Sequence, residues 1–259
     1  MAGLLITLGI VFGDLGTSPL YTVRAILRAA TTIDETFILG AISCVFWTLT
    51  LQTTFKYVII TLRADNKGEG GILSLFALLK KKSGQLYLVA IIGGCALLAD
   101  GIITPAITVT SAVEGLRLFN PDIPVVLLVL VILSVLFGVQ MFGTSKLGKS
   151  FGPVMFIWFA MLGILGLMQI IYAPEILNAV NPWYAIKLIV EFPNSLVLLG
   201  AVFLCTTGAE ALYSDLGHCG ISNIRITWIF VKTTLLLNYF GQGAWIITHA
   251  DQITRDVNP

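Results

Sequence analysis

The chain is poor in charged residues. Of its 259 residues, 11% are Asp, Glu, Lys or Arg, whereas about 25% is typical of a soluble domain. A soluble enzyme of this length needs more charge than that to cover its surface, and disordered or fibrous chains have other compositions. The formal net charge of +1 provides no basic field, so nucleic acid is not an expected partner. The scarcity of charge therefore argues against all of these classes.

Cysteine and histidine are also scarce. The four cysteines form no CxxC pair, and the two histidines, His218 and His249, are isolated from one another. We therefore expect no disulfide framework, no zinc site and no cofactor. The N-terminus has no basic segment before its apolar run, and Asp14 interrupts that run, which is atypical of a signal peptide.

Long apolar runs fill most of the chain. The hydrophobic share is 57% and the mean hydropathy is +0.93. A helix that crosses about 30 Å of hydrocarbon needs roughly 20 apolar residues. Seven runs reach this length and are numbered as spans 1 to 7: 3–30, 36–62, 86–118, 124–142, 151–172, 195–217 and 221–248. A short amphipathic helix is expected at 71–82 and an excursion outside the membrane at 174–192. The chain is thus predicted to be an all-α membrane protein with a single transmembrane domain over residues 1–259. We expect it to be a fragment of a longer protein, because it stops at Pro259 with no terminal domain.

The distribution of Lys and Arg predicts the orientation. These residues concentrate at 63–67, 80–82 and 146–149, and loops rich in them face the cytoplasm. The N-terminus is then cytoplasmic, and the protein is a multi-pass protein of the cell membrane. Residues 143–150, GTSKLGKS, match the P-loop pattern literally, but that motif works only between a buried strand and a helix. We interpret this segment as a short basic turn.

Apart from Asp215 near the end of span 6, four acidic residues fall inside the spans: Asp14, Asp100, Glu114 and Glu210. Each costs about 2.5 kcal/mol or more at mid-membrane, so such residues are candidates for function. Glu114 is the exception, because Arg117 lies three residues later and can pair with it on the same helix face.

Asp14 lies among three helix breakers, Gly13, Gly16 and Pro19. Glycine tolerates unusual backbone angles and proline removes an N–H group, while Ser18 is a natural N-cap before Pro19. We therefore expect span 1 to consist of two half-helices around an unwound centre. Carbonyl groups freed there, together with Asp14, favour a cation.

Span 6 contains a weak echo of this segment. In TTGAEALY (206–213), Gly208 aligns with Gly16 of DLGTSPLY (14–21), and the Leu-Tyr pair recurs. Spans 1 and 6 are predicted to run in opposite directions across the membrane. An echo in opposite topology is typical of inverted-repeat transporters, whose site lies near the midplane between the repeats.

Span 3 carries a polar stripe. Asp100, Thr104 and Thr108 follow one another at four-residue spacing, with Ser111 next on the same side. On a helix these positions fall within an arc of roughly 80°. The candidate ligands are all oxygen atoms, which suits a hard or alkali cation. This pattern predicts a cation transporter and leaves sodium, potassium and the proton open.

The same segments resemble the KUP/HAK/KT family of potassium uptake permeases. The similarity covers nearly the whole chain and is carried by GIVFGDLGTSPLYTV, GEGGILSLFALL, ADGIITPAITVTSAVEGL, FGPVMFIWF, NPWYAI, TTGAEALYSDLGHCG and LLLNYFGQGA. The family usually has glycine where this chain has Ala99, before the retained Asp100. The resemblance implies the LeuT-type inverted-repeat bundle of the amino acid–polyamine–organocation superfamily, with broken helices 1 and 6.

The resemblance also implies roles for individual residues. Six would bind potassium: Asp14, Tyr21, Asp100, Thr104, Thr108 and Thr207. Glu210 would couple the proton, since burial favours the protonated form of a carboxylate and a nearby cation favours the ionised form. Potassium and the proton would be the substrates and the lipid bilayer the surroundings, with a homodimer left open.

Three mechanisms remain distinct at this point. The first is proton-coupled potassium symport by alternating access. The second is a channel-like potassium uniporter, although nothing resembles a TVGYG filter. The third is an ATP-driven pump that uses the P-loop-like turn. No enzymatic activity is expected under the first two.

Overall fold

The computed structural model describes residues 2–30, 32–79, 86–140 and 145–249, with the backbone alone at 2, 86, 118, 140 and 145–150. Lys80, Lys81, Lys82 and the last ten residues lie outside these ranges, as do residues 143–144 of the P-loop-like segment. Residues 145–150 of that segment begin the helix Ser145–Ile170, so the predicted turn is wrong there. The described part is helical and contains no strand, only an isolated bridge between Asn66 and Glu69. The all-α part of the predicted fold class is therefore confirmed.

The first predicted span consists of three short helices, Ala2–Val11, Gly13–Thr17 and Pro19–Ala29. Phe12 and Ser18 are the single residues between them. The path stays close to helical, because Gly16 N–H donates to Phe12 O at 3.0 Å and Thr22 N–H to Ser18 O at 3.0 Å. The expected unwound centre is thus replaced by two one-residue interruptions.

Span 2 changes its winding partway along. It begins as the α-helix Glu35–Thr48, where the Asp34 side chain accepts from Phe37 N–H, and continues as the π-helix Leu49–Ile60. Thr54 and Thr61 hydroxyls donate to carbonyls five residues earlier, which matches the wider winding. A 3₁₀ turn, Thr61–Arg63, ends it. π-Helical turns are rare and occur frequently at functional sites.

The remaining helices follow in chain order. They are Ile72–Leu79, Leu86–Gly115, the 3₁₀ turn Leu116–Leu118, Val125–Gln140, Ser145–Ile170, the 3₁₀ segment Pro174–Val180, Pro182–Glu191, Ser195–Phe203, the 3₁₀ turn Leu204–Thr206, Ala211–Ser214, Leu216–Cys219 and Ile221–Thr248.

Four of the described helices are long and apolar enough to cross a membrane: Glu35–Arg63, Tyr87–Gly115, Phe151–Ile170 and Ser195–Ser214. Span 1 is divided into pieces that are each too short. Val125–Val139 is apolar but has fewer residues than a full crossing needs. Ile221–Thr248 is long but more polar, and it is not among the four. The count of seven spans therefore remains a prediction.

The described part has a large core and a small one. The large core joins spans 1, 2, 5, 6 and 7, and its fully buried side chains include Phe12, Leu15, Phe159 and Tyr239. The small core, built on Val113, Val125 and Val129, joins spans 3 and 4. None of the most apolar stretch of Tyr87–Gly115 is buried. Most of the apolar surface of span 3 thus lies outside the large core.

Candidate cation-binding site

Three carboxylates from three different spans meet at one point. One carboxylate oxygen each of Asp14, Asp100 and Glu210 lies within 4.8 Å of the other two. These are the three acids that the sequence marks as candidates, and the chain separates them by up to 196 residues. Asp14 Oδ1 is buried and has no hydrogen-bond partner among the described residues. Buried polar atoms are normally partnered, so this oxygen is free to take a ligand.

Asp14 enters the site from the short helix Gly13–Thr17. Thr17 Oγ1 donates to Asp14 O at 2.8 Å, which satisfies a carbonyl next to the interruption of span 1. Gly13 and Gly16 lie within this short helix, and Pro19 is the first residue of the next. Ser18 precedes Pro19 as expected, but its backbone is α-helical and its side chain makes no capping hydrogen bond.

Span 6 is truly unwound where it meets span 1. Thr207 is extended, with φ −58° and ψ 137°, and Gly208 has a φ of +83°. Residues other than glycine rarely adopt such a positive φ. A Cβ on Gly208 would lie 2.7 Å from Leu15 N and 2.8 Å from Asp14 Cβ. Glycine at 208 therefore permits both the turn and the contact that brings Glu210 beside Asp14.

The polar stripe of span 3 faces span 1. Thr104 Oγ1 donates to Asp100 Oδ1 at 2.8 Å, and Thr108 Oγ1 lies 3.4 Å from Thr17 Oγ1. The helix continues through Pro105. The stripe thus places the Thr104 hydroxyl on one of the three acids and the Thr108 hydroxyl beside span 1.

A cluster of three hydroxyls joins spans 1 and 6. Tyr21 OH lies 2.7 Å and Ser18 Oγ 2.8 Å from Thr207 Oγ1, and these two lie 3.2 Å from each other. Thr207 Oγ1 donates its proton to Leu204 O at 2.8 Å, so Tyr21 and Ser18 can both donate to it. The sequence did not indicate this role for Ser18, because its partner Thr207 is 189 residues away. The neighbouring residues indicated only a helix N-cap before Pro19.

A cavity of about 480 Å³ opens beside the acids, on the side predicted to be cytoplasmic. Asp100 and Glu210 line its inner end, and Asp14 does not. One wall comes from the π-helical and 3₁₀ segments of span 2, through Lys56, Tyr57 and Thr61. The remaining lining residues are Gly71, Ile72, Leu75, Gly93, Ala96, Leu97, Tyr213 and Ser214. An ion at the acids could reach this side through the cavity.

On the opposite side of the acids an ion pair joins spans 1 and 3. Arg24 Nη1 donates to Glu114 Oε2, and both side chains are partly buried. The prediction that Glu114 pairs with Arg117 is therefore wrong. Arg117 is exposed on the turn after span 3, whereas Arg24 faces Glu114 across the interface between the two spans. The partner from the neighbouring span takes the place of the partner on the same helix.

The cysteines and histidines are not part of the site. Cys44, Cys205 and Cys219 are buried free thiols and Cys95 is an exposed one. His249 stacks on Trp245, with ring centroids 4.6 Å apart, at the end of Ile221–Thr248. Neither group lies among the three acids.

These features define a helical membrane protein with an all-oxygen, acidic site between two interrupted helices. The family model described as "K+ potassium transporter integral membrane domain" matches residues 1–257. The chain belongs to this family of potassium transporters, the KUP/HAK/KT family that its motifs resemble.

Curated relatives agree with this assignment. A "Probable potassium transport system protein Kup" from Cytophaga hutchinsonii is 61% identical over 259 residues, covering 98% of this chain and 39% of the relative. Proteins of the same name are 62% identical in Flavobacterium johnsoniae, covering 96% of this chain and 38% of the relative, and 51% identical in Enterococcus faecalis, covering 100% and 41%. The chain thus spans about two fifths of the length of these relatives. No solved structure matches it.

Proposed function

We propose that this chain forms part of a potassium uptake protein that moves potassium together with a proton across the cell membrane. The family and the printed names of the relatives support potassium as the substrate. The negative charge of the site supports the proton as a second substrate. We expect no enzymatic activity and no resident cofactor.

The convergence of Asp14, Asp100 and Glu210 carries the proposal. Three negative charges held within 4.8 Å of one another repel strongly where water is scarce. One potassium ion balances only one of them. A proton bound with the ion balances a second, so cation binding and proton binding are linked at this site.

Glu210 is the best candidate to carry the proton. It lines the cavity on the side predicted to be cytoplasmic, so it can exchange a proton there, whereas Asp14 does not line that cavity. Asp100 lines the cavity as well, but its Oδ1 already accepts a hydrogen bond from Thr104. Asp14 and Asp100 then remain as charged ligands. Neutral oxygen ligands would come from four hydroxyls near them: Tyr21, Thr104, Thr108 and Thr207.

The two sides of the site support alternating access. One side has the cavity, and the other has the Arg24–Glu114 ion pair and the hydroxyl cluster. This asymmetry is expected of a state that is open to one side only. We therefore propose a LeuT-type inverted-repeat bundle of seven spans in this chain, with a cytoplasmic N-terminus. The proton as a second substrate, the lipid bilayer and a homodimer stay proposals as well.

Flux measurements test the coupling. The protein at its natural length is reconstituted into proteoliposomes, and potassium uptake is followed with and without an imposed proton gradient. We expect the gradient to accelerate uptake. Glu210→Gln should retain potassium-dependent thermal stabilisation but lose the response to the gradient. Glu175→Gln, at an exposed position of Pro174–Val180, is the matched control.

The outcomes separate the mechanisms. Potassium uptake that is indifferent to the gradient would identify the channel-like uniporter instead. Uptake that requires ATP and is lost in Lys149→Ala would identify the pump. A wild-type protein that moves no potassium would overturn the proposal as a whole.

A further inference from the structure

The helix that carries Asp14 is too short to be stable by itself. Gly13–Thr17 has five residues, little more than one turn, and isolated helices of that length do not persist in water. Its conformation must therefore come from its neighbours. These neighbours also decide where the Asp14 carboxylate points.

Two neighbours hold this helix from different directions. The unwound backbone of span 6 contacts Asp14 and Leu15 through Gly208. Span 5 contacts Gly16, where a Cβ would lie 2.7 Å from Phe159 Cζ and 2.9 Å from Met155 Cε. Phe159 is fully buried and cannot move aside easily.

Trp158 adds a directed contact to this packing. Its indole N–H donates to Gly16 O at 2.8 Å. Gly16 lies two residues after Asp14, and in an uninterrupted helix its carbonyl would accept from residue 20. Met155, Trp158 and Phe159 share one face of span 5, so the hydrogen bond and the packing act on the same side of Gly16.

We infer that Trp158 is a positioning residue for potassium binding, acting through Asp14. The inference rests on the proposed function. The indole hydrogen bond fixes the rotation of the short helix about its axis, because it holds the Gly16 carbonyl while Gly208 packs against Asp14 and Leu15. Without it the buried Gly16 carbonyl lacks a donor and must turn toward another. Asp14, on the same turn, then leaves its place beside Asp100 and Glu210.

Trp158→Phe tests the inference, since it keeps an aromatic ring and removes the N–H. We expect the half-saturating potassium concentration for uptake to rise roughly tenfold, which corresponds to about 1.4 kcal/mol, while the maximal rate changes by less than about threefold. A role limited to folding would lower the amount of protein and the maximal rate and leave the half-saturating concentration unchanged.

Trp47→Phe is the matched control. Trp47 also donates its indole N–H to a backbone carbonyl, Val180 O at 3.1 Å, but away from the acids. A double-mutant cycle adds a second readout: in an Asp14→Asn background, Trp158→Phe should weaken potassium-dependent thermal stabilisation no further. Should Trp158→Phe fail to fold, Gly16→Ala displaces the same helix with Trp158 intact and should raise the half-saturating concentration as well.

If potassium uptake by the wild type is normal, three results would overturn the inference. They are an unchanged half-saturating concentration in Trp158→Phe or in Gly16→Ala, an equal rise in Trp47→Phe, and additive effects of Trp158→Phe and Asp14→Asn. Absence of uptake by the wild type would instead reject the proposed function itself.

Discussion

Spans 1 and 6 are both interrupted at the site, but by different means. Span 1 keeps a nearly helical path, with single residues, Phe12 and Ser18, between three short helices. Span 6 leaves the helical path at 207–210, where Thr207 is extended and Gly208 has a φ of +83°. The two segments that echo each other in sequence therefore do not share one backbone conformation.

The difference shows where each conformation originates. In span 6 it is local, because residues other than glycine rarely adopt the angle at Gly208. In span 1 no glycine has a positive φ, and the short helix is held by contacts with spans 5 and 6. Span 6 should thus be sensitive at its own glycine, and span 1 at the residues that surround it.

Substitution of Gly208 should have the largest effect. In Gly208→Ala the left-handed backbone and the overlap with Leu15 N and Asp14 Cβ together should cost about 2–4 kcal/mol. Potassium uptake should be lost, since Asp14 and Glu210 are forced apart. Uptake and SDS-induced unfolding in mixed micelles measure the two effects.

Gly220→Ala separates strain from overlap. Gly220 has a φ of +77°, but a Cβ there meets no heavy atom within 4 Å. Because its ψ is 147°, alanine there should cost about 1–3 kcal/mol from backbone strain alone, and uptake should be retained. Equal effects at the two glycines would contradict the importance of the contact between spans 1 and 6.

A smaller effect is expected at Glu114, which holds the outer half of span 1. Glu114→Gln leaves the Arg24 guanidinium without its charged partner, and Arg24 Nε already has no hydrogen-bond partner among the described residues. A loss of about 1–2 kcal/mol in the free energy of unfolding should follow.

Arg117→Gln is the control for this pair. Arg117 is exposed, so its substitution should change the free energy of unfolding by less than about 0.5 kcal/mol. A loss as large as that of Glu114→Gln would restore the pairing along span 3 that the sequence predicts.

The comparison also explains what could be predicted from the sequence. Asp14, Asp100 and Glu210 stand out because a carboxylate in an apolar run is costly, and that cost is visible without any fold. Gly208 stands out because it lies beside such an acid. These signals are local, as are the long apolar helices.

The parts that could not be predicted depend on contacts between distant residues. Arg24 lies 90 residues from Glu114, and Trp158 lies 142 residues from Gly16. The local rule that pairs residues three apart favoured Arg117 instead. The breakers at 13, 16 and 19 indicate that span 1 is interrupted, but they do not say that packing against span 5 keeps the pieces nearly helical.

Gly13 should give the smallest effect, and it is the sharpest test of the difference between the two spans. It begins the short helix Gly13–Thr17, its φ is not positive, and a Cβ there meets no heavy atom within 4 Å. Alanine favours a helix over glycine by up to about 1 kcal/mol, so Gly13→Ala should stabilise the protein slightly and leave potassium uptake within about twofold of the wild type. A large loss of uptake in a stable Gly13→Ala protein would mean that span 1 must flex at its own glycine during transport. The contrast with span 6 would then hold only for the state described here, because both spans would depend on a glycine at the site.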